Sequence, residues 1–130
     1  MRSRISTTHV QQGITVVAVG GALDPELCPA TPETIGAVRE TIKAAQLEVG
    51  HRALVLDLSA VLEIRLEGAY LLCQAHNRAK EQDTIVVLAG IHDRPMKRLR
   101  FYGVTRFLPH YASVEEAVAS LTNTAGQASA

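Results

Sequence analysis

The segment from residue 54 to residue 72 constrains the fold more than any other part of the chain. It begins with Leu54-Val55-Leu56, a run of branched apolar residues that is typical of a β-strand covered on both faces. A charged turn follows, and Gly68 then opens a stretch with the apolar spacing of an amphipathic helix. A buried strand that leads directly into a helix indicates an α/β domain. Because the first N–H groups of a helix can hold an anion, this junction is the first candidate for a functional site.

Strand and helix patterns alternate along the rest of the chain. Two β-branched runs, at residues 5 to 10 and 13 to 19, are joined by Gln11-Gln12-Gly13 and predict an N-terminal hairpin. Later strands are predicted at residues 53 to 58, 84 to 89 and, briefly, 106 to 108. Helices are predicted at residues 31 to 50, 66 to 81, 93 to 103 and 113 to 121. This order predicts an α/β fold with a mixed sheet of four to five strands and about four helices.

The predicted helices carry start signals, and the domain has a predicted end. Thr31 can cap the first helix with Pro32 at its first position, and Asp93 can cap the third. Ser113 and Glu116 form a capping box at the start of the last helix. The polar tail that follows is expected to be disordered. The sequence therefore predicts a single domain over residues 1–121 and a disordered tail over residues 122–130.

Composition narrows the class of protein without naming an activity. A chain of 130 residues suits one domain with one core. Thirteen basic residues balance thirteen acidic ones, which argues against a nucleic-acid-binding protein or a polybasic membrane module. No apolar run approaches the roughly 20 residues that cross a bilayer, and no signal-peptide apolar core follows the first residues. We therefore expect a cytoplasmic protein, without direct membrane insertion, whose partners are proteins or small ligands.

Metal, redox and catalytic sites find little support in the sequence. Cys28 and Cys73 lie too far apart for a Cys-x-x-Cys site, so free thiols are expected in a reduced cytoplasm. A redox bridge between them is the alternative, because both should follow strands at the same end of the sheet. The five histidines show no paired metal spacing, and Gly20-Gly21 lacks a phosphate-binding pattern. No metal or cofactor is expected, and a small enzyme is the least supported class.

The strand, turn and helix at residues 54 to 72 resemble the central motif of STAS domains, the fold of the anti-sigma factor antagonists. That motif reads Leu-Asp-Leu-Ser-x-Val-x-x-Ile-Asp-Ser-Ser-Gly in outline. The matching residues here are Leu56, Asp57, Leu58, Ser59, Val61, Ile64 and Gly68. Three further family patterns occur in the family's order, one before this motif at Gly21-Ala22-Leu23-Asp24 and two after it, at Leu99 with Gly103 and at Phe107-Leu108-Pro109. The resemblance covers roughly residues 10 to 121.

The turn departs from the family at the position where the resemblance places a phosphorylated serine. Asp-Ser-Ser-Gly is replaced by Arg65-Leu66-Glu67-Gly68, which contains no hydroxyl. Glu67 carries a charge of about −1, compared with about −1.5 to −2 for phosphoserine, and is therefore a partial mimic. Arg65 stands in place of an aspartate and makes the turn more positive. Either Glu67 supplies a functional negative charge, or it only stabilises the first turn of its helix.

The resemblance implies a non-enzymatic protein-interaction module. In the family, the surface around the turn binds a kinase-type anti-sigma factor, and phosphorylation of the serine breaks that complex. The chain is therefore expected to be an anti-sigma factor antagonist, or a paralogue without the phosphorylation switch, that binds an anti-sigma factor or another regulatory protein. Partner contacts are expected from Arg65, Leu66 and Glu67. The alternatives are the soluble STAS subunit of a transporter and a scaffold subunit of a signalling assembly.

Two further groups of residues have both a binding and a structural interpretation. Asp24 lies on the loop that the family places beside the turn, so it is either a partner contact or a turn former before Pro25. A basic group interleaved with aromatic residues lies near the third helix, and it either binds an acidic partner or forms a solvated helix face. Its members are Arg94, Lys97, Arg98, Arg100, Phe101, Tyr102 and Arg106.

Overall fold

A five-stranded mixed sheet forms the centre of the computed structural model, which describes residues 4–23 and 32–128. The strands lie side by side in chain order: β1 (Arg4–Val10), β2 (Ile14–Leu23), β3 (Ala53–Ile64), β4 (Ile85–Ala89) and β5 (His110–Tyr111). β1 and β2 form an antiparallel hairpin, and every later pair is parallel. The predicted α/β fold with a mixed sheet and an N-terminal hairpin is confirmed.

Helices connect the parallel strands and cover both faces of the sheet. The described residues form four α-helices: α1 (Pro32–Gln46), α2 (Leu66–Gln82), α3 (Asp93–Phe101) and α4 (Val114–Ala128). Alternate residues of a strand face opposite sides, so Leu54 and Leu56 enter the core beneath α1, α2 and α3, whereas Val55 faces α4. All three side chains are fully buried, which agrees with the predicted two-sided strand.

The last strand lies later in the chain than predicted. Residues 106 to 108 were expected to be extended, but Val104–Arg106 forms a 3₁₀ turn. The Leu108 N–H donates to the Val104 carbonyl at 3.1 Å, and the fully buried Leu108 side chain fills the core instead of continuing a strand. Pairing with β4 begins at Pro109, whose carbonyl accepts from the Leu88 N–H at 2.9 Å. The need to bury Leu108 therefore moves the strand to His110–Tyr111.

The β2–β3 pair is longer than predicted. β3 was expected to end at residue 58 but continues to Ile64, and β2 continues through Gly20-Gly21 to Leu23. The register shifts twice along this extension. The pairing is therefore interrupted by local irregularities but continues beyond them. At the first irregularity, Asp57 Oδ1 accepts from the Ser59 N–H at 3.0 Å and from the Ser59 hydroxyl at 2.7 Å. The polar residues that suggested a strand end therefore stabilise a bulge.

The helix ends agree only in part with the predicted signals. The Ser113 hydroxyl accepts from the Glu116 N–H at 3.1 Å, as the capping box requires. The N-cap of α3 is His92, and Asp93 is instead its first helical residue, where a negative charge is favourable. Thr31 lies outside the described residues. α4 continues to Ala128 in the segment predicted to be a disordered tail, because extending an existing helix costs little once it has nucleated. The boundary at residue 121 stays a prediction.

His51 lies in the turn before β3, and its burial shifts the pKa of the imidazole ring. Neither ring nitrogen has a hydrogen-bond partner among the described residues. Burial lowers the pKa of the imidazole, although the Glu48 carboxylate acts in the opposite direction. The folded protein therefore binds this proton less readily than the unfolded chain does.

We expect His51 to make the protein less stable as the pH falls through the ordinary histidine range. Its contribution is fully present above an unfolded-state pKa of about 6.5 and is lost below it, because the unfolded chain then takes up the proton first. Urea denaturation of the parent and of His51→Leu between neutral and mildly acidic pH measures the effect. The variant should lose less stability on acidification, whereas the exposed-site control His110→Gln should follow the parent. Equal slopes for the parent and His51→Leu would contradict this assignment.

Candidate functional site

The turn predicted to carry function lies at the point where β3 leads into α2. β3 ends at the fully buried Ile64, and Arg65 is the N-cap of α2 in extended geometry. Leu66, Glu67 and Gly68 form the first turn, so the helix begins at residue 66, as its predicted range requires. The carbonyl of Arg65 accepts the first helical hydrogen bond, from Ala69 N–H at 2.9 Å. The N–H groups of this first turn have no partner within the helix.

An exposed, largely apolar surface surrounds this turn. Leu66 is 64% exposed and Tyr70 is 59% exposed, whereas Gly68 and Ala69 are buried beneath them. Together with Arg39 of α1 and the exposed Glu67, these two side chains line a groove of about 320 Å³. We call Arg39, Leu66, Glu67 and Tyr70 the turn surface. Apolar and aromatic side chains beside an arginine are the composition of protein interfaces.

Hydrogen bonds between α1 and α2 hold the groove walls in place. The Arg39 guanidinium donates through Nε to Gln74 Oε1 at 3.1 Å. Further along both helices, the buried Gln46 amide donates to the Ala75 carbonyl at 2.9 Å and accepts from Arg78 at 3.1 Å. These bonds connect α1 to α2 at two places along their length. A partner would therefore meet a preformed groove, which lowers the entropic cost of binding.

Sequence reasoning placed Leu66 and Glu67 in this surface but missed Arg39 and Tyr70. Tyr70 lies three and four residues after Glu67 and Leu66, which puts it on the same side of the helix. That spacing was available in the sequence. Arg39 belongs to a different helix, and only the packing of α1 against α2 brings it to the groove.

A buried carboxylate lies just before the turn. Glu63 is 3% exposed at the end of β3, and its Oε2 is 2.8 Å from Arg94 Nε. Its Oε1 is 3.7 Å from Arg98 Nε. Both arginines reach it from α3, so an ion-pair cluster joins α3 to the strand that leads into the turn. The basic residues of α3 are all exposed, as a solvated face requires, and two of its arginines also pair with Glu63.

The other predicted site residues are not brought together by the described structure. Asp24 and Cys28 lie outside the described residues, so the expected place of Asp24 beside the turn stays a prediction, as does the expected absence of a bridge between Cys28 and Cys73. Cys73 is a free thiol on α2, and partial burial raises its pKa. Within the described ranges, no group of three histidine, cysteine or carboxylate side chains is placed to hold a metal ion. No helix in those ranges is long and apolar enough to cross a bilayer.

Solved structures with the same fold come from regulatory and transporter-related proteins. RsbS from Moorella thermoacetica, in a form with a serine-to-glutamate substitution, is 22% identical with a TM-score of 0.78 over 95% of this chain and 98% of that one. The unphosphorylated anti-sigma factor antagonist SpoIIAA is 14% identical, with a TM-score of 0.75 over 92% of this chain and 97% of that one. A sulfate transporter family protein from Wolinella succinogenes is 19% identical, with a TM-score of 0.69 over 87% of this chain and 88% of that one.

The family assignment comes from the sequence itself, because identities this low show the fold alone. No curated protein gives a significant match to the chain. The family model for the STAS domain matches residues 6–117, which covers most of the hairpin, all the parallel strands and the start of α4. Its span agrees with the extent of the resemblance seen in the sequence. The chain belongs to the STAS domain family.

Proposed function

We propose that this protein is a regulatory interaction module of the anti-sigma factor antagonist type that works without serine phosphorylation at the start of α2. The turn surface is the observation that carries the proposal. It presents the exposed Leu66 and Tyr70 where the family resemblance places the partner-binding site. STAS domains of this kind are generally non-catalytic regulators, and the proposed partner is an anti-sigma factor or another regulatory protein in the cytoplasm.

The apolar part of the turn surface can supply the affinity. Burying a large apolar side chain stabilises a complex by roughly 1.5–3 kcal/mol, and both Leu66 and Tyr70 have most of their surface available. Glu67 then sets the charge of the site permanently, because a glutamate cannot be removed by a phosphatase as a phosphate can. The protein would then have a single binding state, whereas a protein with a phosphorylated serine switches between two. A constant charge of about −1 next to an apolar groove acts against a partner whose interface fits the uncharged serine, as phosphate does in the family.

The main alternative is a soluble subunit of a transporter. The sulfate transporter family protein from Wolinella succinogenes has this fold, so the same architecture occurs in a protein of that description. A scaffold subunit of a signalling assembly is a further alternative. The genes next to this one distinguish them, since an anti-sigma factor gene supports the proposal and transporter genes support the alternative.

We expect Glu67→Ser to create or strengthen binding to an anti-sigma factor that the parent protein binds weakly, by roughly 1–3 kcal/mol, because it removes a charge clash at the interface. Isothermal titration calorimetry with the anti-sigma factor encoded nearest to this gene measures the change. Arg65→Asp and Leu66→Ser are then added to rebuild the family turn, and incubation with ATP followed by mass spectrometry tests phosphorylation. The rebuilt turn should accept phosphate, and residues 65–68 of the parent should not.

Glu81→Ser is the matched control, since Glu81 is an exposed glutamate at the far end of α2. It should leave binding unchanged. If Glu67→Ser also leaves binding unchanged and only lowers the melting temperature slightly, Glu67 is a helix-start residue, and the proposed role of its charge is wrong. Stoichiometric phosphate on another residue of the parent, such as Ser59 or Thr84, would show that a switch exists at a different position.

A further inference from the structure

The outer side of α3 presents an unusually exposed aromatic ring. Phe101 ends the helix and is 80% exposed, compared with 59% for Tyr70 in the turn surface. A single exposed apolar side chain is ordinary on a protein surface, so the case for a binding site rests on what supports and surrounds this ring. The buried side of the same helix already supplies the core through Pro95, Met96 and Leu99.

The ring of Phe101 has a defined position despite its exposure. It stacks edge to face on Tyr102, with ring centroids 5.4 Å apart and an angle of 70° between the planes. Tyr102 in turn packs against the buried core cluster. A ring supported in this way loses little freedom when a partner covers it. Phe101 therefore has the properties of an anchor residue.

Two cations without partners among the described residues lie on the outer side of α3 together with this ring. Lys97 lies three residues before Arg100 and four before Phe101, so the three exposed side chains share the outer side of α3. Among the residues that the structure describes, neither cation forms an ion pair or a side-chain hydrogen bond. Arg94 and Arg98 on the same helix differ, because both reach Glu63. We call Lys97, Arg100 and Phe101 the α3 surface.

We propose that the α3 surface binds an acidic segment of a partner protein that also carries a large apolar side chain. The charge on this helix is one-sided, since its only acidic residue is Asp93 in the first turn, whereas the whole chain has no net charge. An exposed aromatic ring with unpaired cations beside it complements an apolar side chain with carboxylates beside it. Nucleic acid fits less well, because a neutral chain lacks the extended basic surface that phosphate binding uses.

This inference does not depend on the proposed function. The α3 surface shares no residue with the turn surface, so a partner on α3 and a partner on α2 are separate tests. If both hold, the domain presents two binding surfaces, one on α2 and one on α3.

The test is a titration of the ¹⁵N-labelled full chain with a synthetic peptide that alternates glutamate with leucine. We expect amide shift changes confined to α3 and the 3₁₀ turn that follows it, and an affinity that weakens as salt is added. A peptide with glutamine in place of glutamate should bind much less tightly. Phe101→Ala and Arg100→Gln should each weaken binding of the acidic peptide by about tenfold, the loss expected when an interface anchor is removed.

Matched controls come from exposed residues of the α1 region. Lys43→Gln removes an exposed cation, and Leu47→Ala truncates an exposed apolar side chain, so both should leave peptide binding unchanged. The proposal is overturned if the glutamine peptide binds as tightly, if the shifts appear at the turn surface, or if no amide of α3 responds. Tighter binding of single-stranded DNA than of the acidic peptide at the same salt concentration would also overturn it. Phe101 and Arg100 are exposed, so circular dichroism should show every variant folded.

Discussion

Replacing Arg94 and Arg98 together with glutamine is expected to lower the free energy of unfolding by about 3 kcal/mol, because it leaves the Glu63 carboxylate buried without a counter-charge. The side chain of Glu63 is only 4% exposed, so water cannot take the place of the arginines. Either single replacement should cost less, since the other arginine remains within reach. Urea denaturation at neutral pH measures all three variants.

Two controls separate loss of the ion pair from a general effect on α3. Lys97→Gln with Arg100→Gln removes two cations from the same helix, but neither contacts Glu63, so stability should change by no more than about 0.5 kcal/mol. Adding Glu63→Gln to the Arg94 and Arg98 variant should recover much of the loss, because the buried charge is then gone. An Arg94 and Arg98 variant as stable as the parent would show that the ion pair does not stabilise the fold.

Gly13→Ala is expected to destabilise the protein by about 3 kcal/mol, of which about 1 comes from backbone strain alone. Gly13 has a φ of +76°, in the left-handed region that favours glycine. A Cβ at this position would also overlap the Gly50 carbonyl oxygen, which is backbone and cannot rotate away. The hairpin and the turn before β3 would have to separate, although the Arg52 N–H bonds to the Gly13 carbonyl there at 2.9 Å.

Gly103→Ala is the matched control for this prediction. Gly103 has a nearly identical φ of +79°, but no atom lies within 4 Å of a Cβ built there. Gly103→Ala should lower the free energy of unfolding by the backbone strain alone, about 1 kcal/mol. Thermal denaturation of the two variants side by side measures the difference. Equal losses would mean that the close approach of Gly50 does not limit this site.

The parts of the fold that were predictable have a strong local pattern. The first half of β3 is a continuous apolar run, and α2 repeats its apolar residues with helical spacing, so both were located nearly correctly. β5 was misplaced because Phe107-Leu108 has strand-like residues, yet Leu108 is needed in the core. Its position depends on packing with distant residues, which a local pattern does not contain.

The residues of the candidate site were also predictable only where they lie close together in the chain. Leu66 and Glu67 were located because the strand, turn and helix are consecutive in the chain. Glu63 was missed because β3 was expected to end at residue 58, so a carboxylate five residues later was not recognised as part of a buried strand. The arginines that neutralise it follow some thirty residues later, and the sequence alone suggested that they faced solvent. Only the packing of α3 against β3 shows the pairing.

The side-by-side order of the strands has a consequence for synthesis of the chain. Each strand pairs with the one made just before it, so the sheet can grow in the order in which the ribosome delivers it. The helices that cover the face of Leu54 and Leu56 are each synthesised between two strands. That face of the sheet can therefore be covered before the chain is complete. The face of Ile14 and Val55 has to wait for α4, the last helix. During translation, that second face is the surface that stays open to chaperones and to premature association.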